Sequence, residues 1–226
     1  MNLKGVSCMD FADFFPVWDK LKDNERDKLT AYAKERRFPK GSVLHGGSSE
    51  CTGLMLIRSG QIRAYTTSPE GKEITLYRLF ERDICLFSAS CIMNSIQFDV
   101  TLAAEKDAEV TVIPSEVYKS VMNSSAPLAN FTSEVMASRF SEVMWLVEQI
   151  MWKSFDSRLA AFLSEEANIE GSNTLKITHE VIGNHLGSPR EVVTRMLKYF
   201  ADEGIVRLAR GAIEITDGTR LRAIAE

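Results

Sequence analysis

Histidine and cysteine are both scarce in this chain: three and four in 226 residues. Two of the histidines, His179 and His185, lie close together near the C-terminus, which leaves His45 alone in the first half. No paired histidine and carboxylate constellation, G-x-S-x-G, H-E-x-x-H or phosphate-binding loop occurs, so catalysis is not expected. The cysteines, Cys8, Cys51, Cys85 and Cys91, are scattered, with one C-x5-C spacing at 85–91. The first twenty residues carry no basic region followed by a clean apolar run, so no secretory leader is expected, and the thiols are expected to be reduced in a cytoplasm. Apolar runs stay well below the ~18 residues a membrane span needs. The net charge of −4 excludes a uniformly basic nucleic-acid coat but allows a local basic face. No internal repeat or low-complexity segment is present.

What the chain does have is concentrated near its end. Residues 187–200 read GSPREVVTRMLKYF. Ser188 is placed to cap a helix, Pro189 suits its first position, and Glu191 falls three residues after the serine, as in a capping box. At 100° per residue, Val193, Met196, Leu197 and Phe200 share one side, while Arg190, Glu191, Thr194, Arg195 and Lys198 share the other. A solvated surface would account for that polar side in an isolated helix, but the neighbouring sequence gives it a context. LKITHEVIGNHLG, residues 175–187, supplies a short strand and a helix capped by Thr178, with Val181, Ile182, His185 and Leu186 on one side. Gly187–Ser188 is a tight turn, and EGIVRLARGAIEITD adds two short strands around Arg210–Gly211. Helix, tight turn, helix and hairpin make a winged helix-turn-helix.

In such a motif the second helix enters the major groove of DNA. Arginine can pair with guanine O6 and N7, and glutamate can accept from cytosine N4. Arg190, Glu191 and Arg195 are therefore candidate base readers, with Ser188 and Thr194 on the same face. Glu191 serves equally well as the capping partner of Ser188. Lys198, Arg207 and Arg210 are placed to meet phosphates. Residues 176–226 hold eight Lys/Arg against seven Asp/Glu, so position rather than bulk charge decides.

Upstream, residues 10–37 read as helical. From residue 38 the texture becomes β-rich: FPKGSVLHGG, GLMLIRSGQIRAYTTSPEGKEITLYRLF and DVTLAAEKDAEVTVI are runs broken by Gly, Pro and charged turns. SPEGKE at 68–73 is a hairpin turn, and the strand spacing suggests a small barrel or roll. From about Pro127 the chain becomes a long helix. Met136, Phe140, Val143, Val147 and Ile150 repeat at 4, 3, 4, 3 along it, a heptad seam. A second copy of the chain would bury that seam; packing against the chain's own roll is the other way to cover it. Another helix follows in SFDSRLAAFLSEEA, then a polar turn in NIEGSN.

The whole pattern resembles the Crp–Fnr family of bacterial transcription regulators. The resemblance covers nearly all of the chain and is most specific in ITHEVIGNHLGSPREVVTRMLKYFADEGIV. It implies an α+β architecture: a β-roll sensor of jelly-roll, cyclic-nucleotide-binding-like form over 1–126, a dimerisation helix over 127–153, and a winged helix-turn-helix over 154–226. The family's R-E-x-x-x-R pattern is carried by Arg190, Glu191 and Arg195, as in the branch similar to the cyclic AMP receptor protein. It implies reading of a TGTGA-type half-site in an inverted repeat. Double-stranded DNA, a second copy, a small-molecule effector and RNA polymerase are the implied partners.

The sensor departs from the cyclic-nucleotide pattern. In the family a glutamate grips the ribose and an arginine neutralises the phosphate. Here Phe87 and Phe98 stand at those places, and no basic residue lies between Arg82 and Lys106. Cys85, Phe87, Ser88, Ser90 and Phe98 read instead as an apolar pocket with hydroxyls, suited to a small apolar effector. Cyclic AMP, an iron–sulfur cluster and other resident cofactors are not expected. A Cys85–Cys91 thiol switch, or haem held through His45, remains the alternative sensor.

Overall fold

The computed structural model describes residues 11–46, 53–86 and 100–226. The chain forms two compact units, one made of residues 1–66 and 76–143, the other of 67–75 and 144–226.

The first unit opens with stacked aromatics. Phe11 and Trp18 rings lie 5.2 Å apart, and Phe15 packs beside both. After a 3-10 turn at Trp18–Lys20, helix α1 spans Asp23–Tyr32. The Glu25 carboxylate accepts from the Lys22 backbone N–H at 3.0 Å and fixes its start. The helix does not continue to residue 37 as the sequence suggests. Ala33 is extended, and Lys34–Phe38 forms β1, paired antiparallel with β6, Thr101–Ile113. Lys34 lies opposite Val112 and Phe38 opposite Ala108. Pairing with a long, distant strand outweighs the local helical preference of this charged segment.

Strands β2 (Val43–Gly46), β3 (Leu54–Thr67), β4 (Glu73–Leu79) and β5 (Ile84–Cys85) complete the sheet. Its order is β1-β6-β3-β4, with β2 on β6 and β5 on β3. The SPEGKE turn joins β3 to β4 as expected: the Ser68 N–H donates to the Lys72 carbonyl at 2.7 Å, and Gly71 takes φ +80°. Long β3 shifts register at Ser59–Gln61. There Gly60 has φ +90°, and a Cβ would lie 2.2 Å from the Asp107 carbonyl oxygen, so only glycine fits. Inside the sheet Met55, Ile57, Ile62, Leu79, Leu102 and Val110 are fully buried. A second core joins Phe15, Leu29, Leu54, Ile113, Tyr118 and Leu128.

Helix α2, Ser115–Ser124, was not legible in the sequence; long helix α3, Ala126–Trp152, was. The two are pinned by the Tyr118 hydroxyl, 2.7 Å from Thr132 Oγ1. Burial pushes the Tyr118 phenol up to about 12, so it stays protonated.

In the second unit α4, Phe155–Glu170, ends where Gly171 turns left-handed at φ +59°. The polar turn expected over 168–173 thus begins only at Gly171. There follow β7 (Thr174–Leu175), α5 (His179–Leu186), α6 (Arg190–Asp202), β8 (Val206–Ala209), β9 (Ala212–Ile215) and α7 (Gly218–Ala225). The strands order as β7-β9-β8. Helix α7 was not anticipated; the Asp217 carboxylate caps it by accepting from Thr219 and Arg220 N–H. Leu159, Leu163, Ile182, Val193, Leu197 and Phe200 are fully buried between the helices. Residues 67–75 belong to this unit through Thr75 Oγ1, 2.7 Å from His185 Nδ1, and a bridge between Ile74 and Leu186. The expected order of strand, helix, tight turn, helix and hairpin is present.

Candidate nucleic-acid interface

The turn between α5 and α6 is set by local chemistry. Thr178 Oγ1 accepts from the Val181 N–H at 3.2 Å and starts α5 as expected. Gly187 takes φ +65°, and the Ser188 N–H returns to the Gly183 carbonyl at 2.9 Å. At Gly183 a Cβ would meet the Ser188 carbonyl oxygen at 2.5 Å, so glycine allows the two helices to cross closely. The expectation that Val181 faces the core is corrected: it is 42% exposed, while Ile182 and His185 are buried.

Helix α6 begins one residue later than the sequence suggests. Its N-cap is Pro189, whose carbonyl accepts from Val192 and Val193 N–H, and no side chain caps it. The capping box of Ser188 with Glu191 is therefore not formed, because Ser188 is committed to the turn. Glu191 is left exposed on the outer face with no ion pair among the described residues. Val193, Leu197 and Phe200 are fully buried, as expected from the helical period, and Met196 is half-buried. Arg190, Glu191, Thr194, Arg195 and Lys198 are all exposed. Ser188 lies half-buried at the head of this row. No ion pair holds Arg190, Arg195 or Lys198 among the described residues. Their donors are thus available, in the forked and point-charge forms that suit base edges and phosphates.

The β8–β9 hairpin carries the other two basic candidates. Arg207 is tied across the hairpin to Glu214 at 3.2 Å, and Arg210 stands exposed at the tip beside Gly211. Two side chains were not foreseen from the sequence. Tyr199 is 53% exposed on α6. His179, at the start of α5, places Nδ1 2.9 Å from Thr194 Oγ1.

Of the expected effector residues, Phe87, Ser88, Ser90 and Phe98 lie outside the described residues, as do Cys8, Cys51 and Cys91. Cys85 is a buried free thiol at the end of β5, and His45 is buried on β2. Burial, together with neighbouring Cys85, pushes the Tyr77 phenol well above the ordinary tyrosine range. Above this pair lies Arg139 of α3, which sequence reasoning missed. Its guanidinium is 5.0 Å from the Tyr77 ring centroid, 2.8 Å from Glu142 and 3.3 Å from Asp83. Among the described residues no group of three or more His, Cys, Asp or Glu is arranged to hold a metal ion.

The heptad seam divides along α3. Met136 packs against the core of the first unit, and Val143 is half-buried. Phe140, Val147 and Ile150 are exposed, and Met144, Trp145, Met151 and Trp152 widen the open apolar band. No helix among the described residues is long and apolar enough to cross a membrane.

Known proteins share these features. Residues 157–224 match the Crp-like helix-turn-helix domain, and residues 35–125 match the cyclic nucleotide-binding domain. A transcriptional regulator of the Crp/Fnr family from Eubacterium rectale ATCC 33656, known by its crystal structure, is 56% identical. It superposes with a TM-score of 0.92 over 94% of this chain and 99% of that one. The cyclic AMP receptor protein of Thermus thermophilus is 25% identical over 210 residues, 93% of this chain and 96% of its own length. Electron transport regulator A of Shewanella oneidensis is 27% identical over 233 residues, 98% of this chain and 87% of its own. With an exposed donor row on the second helix, matches to both domains and a relative this similar over nearly its whole length, the chain belongs to the Crp/Fnr family of DNA-binding transcription regulators.

Proposed function

We propose that the protein acts as an effector-responsive homodimer that reads an inverted-repeat, TGTGA-like operator. The observation that carries this reading is the row on α6: Arg190, Glu191 and Arg195 exposed, with Val193, Leu197 and Phe200 fully buried behind them. Arg190 and Arg195 take guanines, and Glu191, released from capping, accepts from a cytosine. Thr194, Ser188, Lys198, Arg207 and Arg210 position the helix on sugar and phosphate; Arg207 must share its guanidinium with Glu214. The homodimer is supported by the exposed side chains of Phe140, Val147 and Ile150 along one stripe of α3. Two such stripes in parallel bury each other and set two reading heads one turn of DNA apart. The division into a sensor over 1–126, a dimerisation helix over 127–153 and a DNA-binding part over 154–226 belongs to the same reading.

The effector in this reading is small and apolar. Cys85, buried beside Tyr77, lies at the described edge of the pocket segment, and Arg139 ties that edge to the dimerisation helix. A ligand that moved Tyr77 or the Asp83 turn would act on α3 directly, shifting the equilibrium by its differential affinity for two states. Fluorescence anisotropy on duplexes with and without the inverted repeat tests the DNA reading: Arg195→Ala should lose the discrimination that wild type shows. Calorimetry with cyclic AMP tests the effector reading, and no heat is expected. Micromolar binding would overturn it, and a haem or iron–sulfur absorbance in protein purified without oxygen would replace it with a cofactor-based sensor.

A further inference from the structure

His179 is the one histidine of the chain that is not buried: His45 and His185 are 3% and 6% exposed. It is the first residue of α5, and its ring lies across from α6. Its Nδ1 is 2.9 Å from Thr194 Oγ1, and that hydroxyl in turn donates to the Arg190 carbonyl at 2.9 Å. A hydroxyl has one proton. With that proton on the Arg190 carbonyl, the imidazole must be the donor, so Nδ1 carries hydrogen and Thr194 accepts. The other nitrogen, Nε2, has no partner among the described residues. In the neutral ring it holds a lone pair; after protonation it becomes a second N–H donor.

The position of this nitrogen gives it a use. Thr194 sits between Arg190 and Lys198 on the exposed row of α6, at steps of four residues. A lone pair beside that row repels a phosphate oxygen, and an N–H attracts one. We propose that His179 is a proton-gated phosphate contact. DNA binding takes up a proton on its imidazole, and affinity therefore rises as pH falls. The inference rests on the DNA-reading assignment of α6.

The surroundings set the sign. Partial burial and the charge of Arg190 both hold the imidazole below the ordinary histidine range. The positive end of α5 acts in the same direction. Arg190 is the charge that acts on it from α6; Glu191, Arg195 and Lys198 share the same exposed row, and Glu180 is its exposed neighbour on α5. The free protein thus holds His179 neutral near pH 7. A phosphate at Nε2 raises the ring's proton affinity in the complex. Binding then strengthens with falling pH across the window between the two values, by at most about tenfold per pH unit for each chain.

The test is anisotropy of the full-length protein on a labelled duplex bearing the inverted TGTGA-type repeat, at constant ionic strength from about pH 8 to about pH 6. Wild type should tighten by at least about fivefold across that range. His179→Gln, which cannot take up a proton, should lose most of that dependence. His179→Arg should bind tightly at both ends. If His179→Gln keeps the wild-type slope, or wild type shows none, the inference is overturned while the DNA-reading assignment stands. Absence of binding by every form at every pH would remove both. Should the glutamine variant fold poorly, calorimetry of wild type in two buffers of different ionisation heat counts the protons directly. A net uptake of protons on binding at about pH 7 is expected. No uptake would overturn the inference.

Discussion

Helix α6 buries Val193, Leu197 and Phe200 completely, whereas helix α3 leaves Phe140, Trp145 and Trp152 67%, 58% and 78% exposed. Both helices are long enough to carry a stripe of apolar side chains. In α6 the stripe is satisfied by α4, α5 and the strands of its own unit, and the charged row is what faces outward. In α3, beyond the residues that pack on Tyr118 and Leu128, the apolar row itself faces outward. A free face of arginines calls for a polyanion, with contacts that salt weakens. A free face of phenylalanine, isoleucine and tryptophan calls for another apolar surface, with contacts that salt leaves nearly unchanged. In the function proposed above, the two helices serve two different partners.

The sharpest break of this contrast is truncation on each side. Leu197→Ala empties a fully buried site and should cost about 3 kcal/mol in urea unfolding of the second unit. Trp152→Ala, at low protein concentration, should cost no more than about 0.5 kcal/mol, because its side chain meets solvent. Equal effects would mean that α3 is covered within the chain. Next in size is Phe140→Glu. A charge on the seam of each chain should weaken self-association by roughly a hundredfold, about 3 kcal/mol, in sedimentation, without lowering the helical circular dichroism of the monomer.

Smaller effects are expected on the charged side. Arg190→Ala and Arg195→Ala should each cost about 1–3 kcal/mol at a specific operator, and relax the preference at one base pair. Unchanged discrimination in both would show that α6 is not the reading helix. Lys198→Ala should weaken all duplexes alike, and reduce the slope of log affinity against log salt by about one. The same salt series applied to self-association should be nearly flat.

Much of the second unit was legible because its signals are local. Thr178 caps α5, Gly187 sets the turn, and the apolar period of Val193, Leu197 and Phe200 fixes the buried side of α6. The Ser188–Glu191 capping box failed because two local roles competed for Ser188, and closing the turn prevailed. Val181 escaped its expected burial because an eight-residue helix has room for a narrow buried stripe only. The long strands of the first unit and the SPEGKE turn at 68–73 were legible, but β1 was not. Lys34–Phe38 is mostly exposed and charged, and only its pairing with Ala108–Val112 makes it a strand. Helix α2 is short and has no capping side chain, so the single face of Val117, Tyr118, Val121 and Met122 is its only mark in the sequence. Side-chain meetings across elements left no trace in spacing: Arg139 with Asp83 and Tyr77, and His179 with Thr194.

In the proposed function, two copies of α6 read DNA because two copies of α3 pair. Selection from random duplexes with the wild-type protein tests it most directly. Enrichment of an inverted repeat of TGTGA-like half-sites, with centres about 34 Å apart, is expected. The same selection with Phe140→Glu should yield single half-sites or nothing. Enrichment of a direct repeat, or of no common sequence by a dimeric wild-type protein, would contradict it.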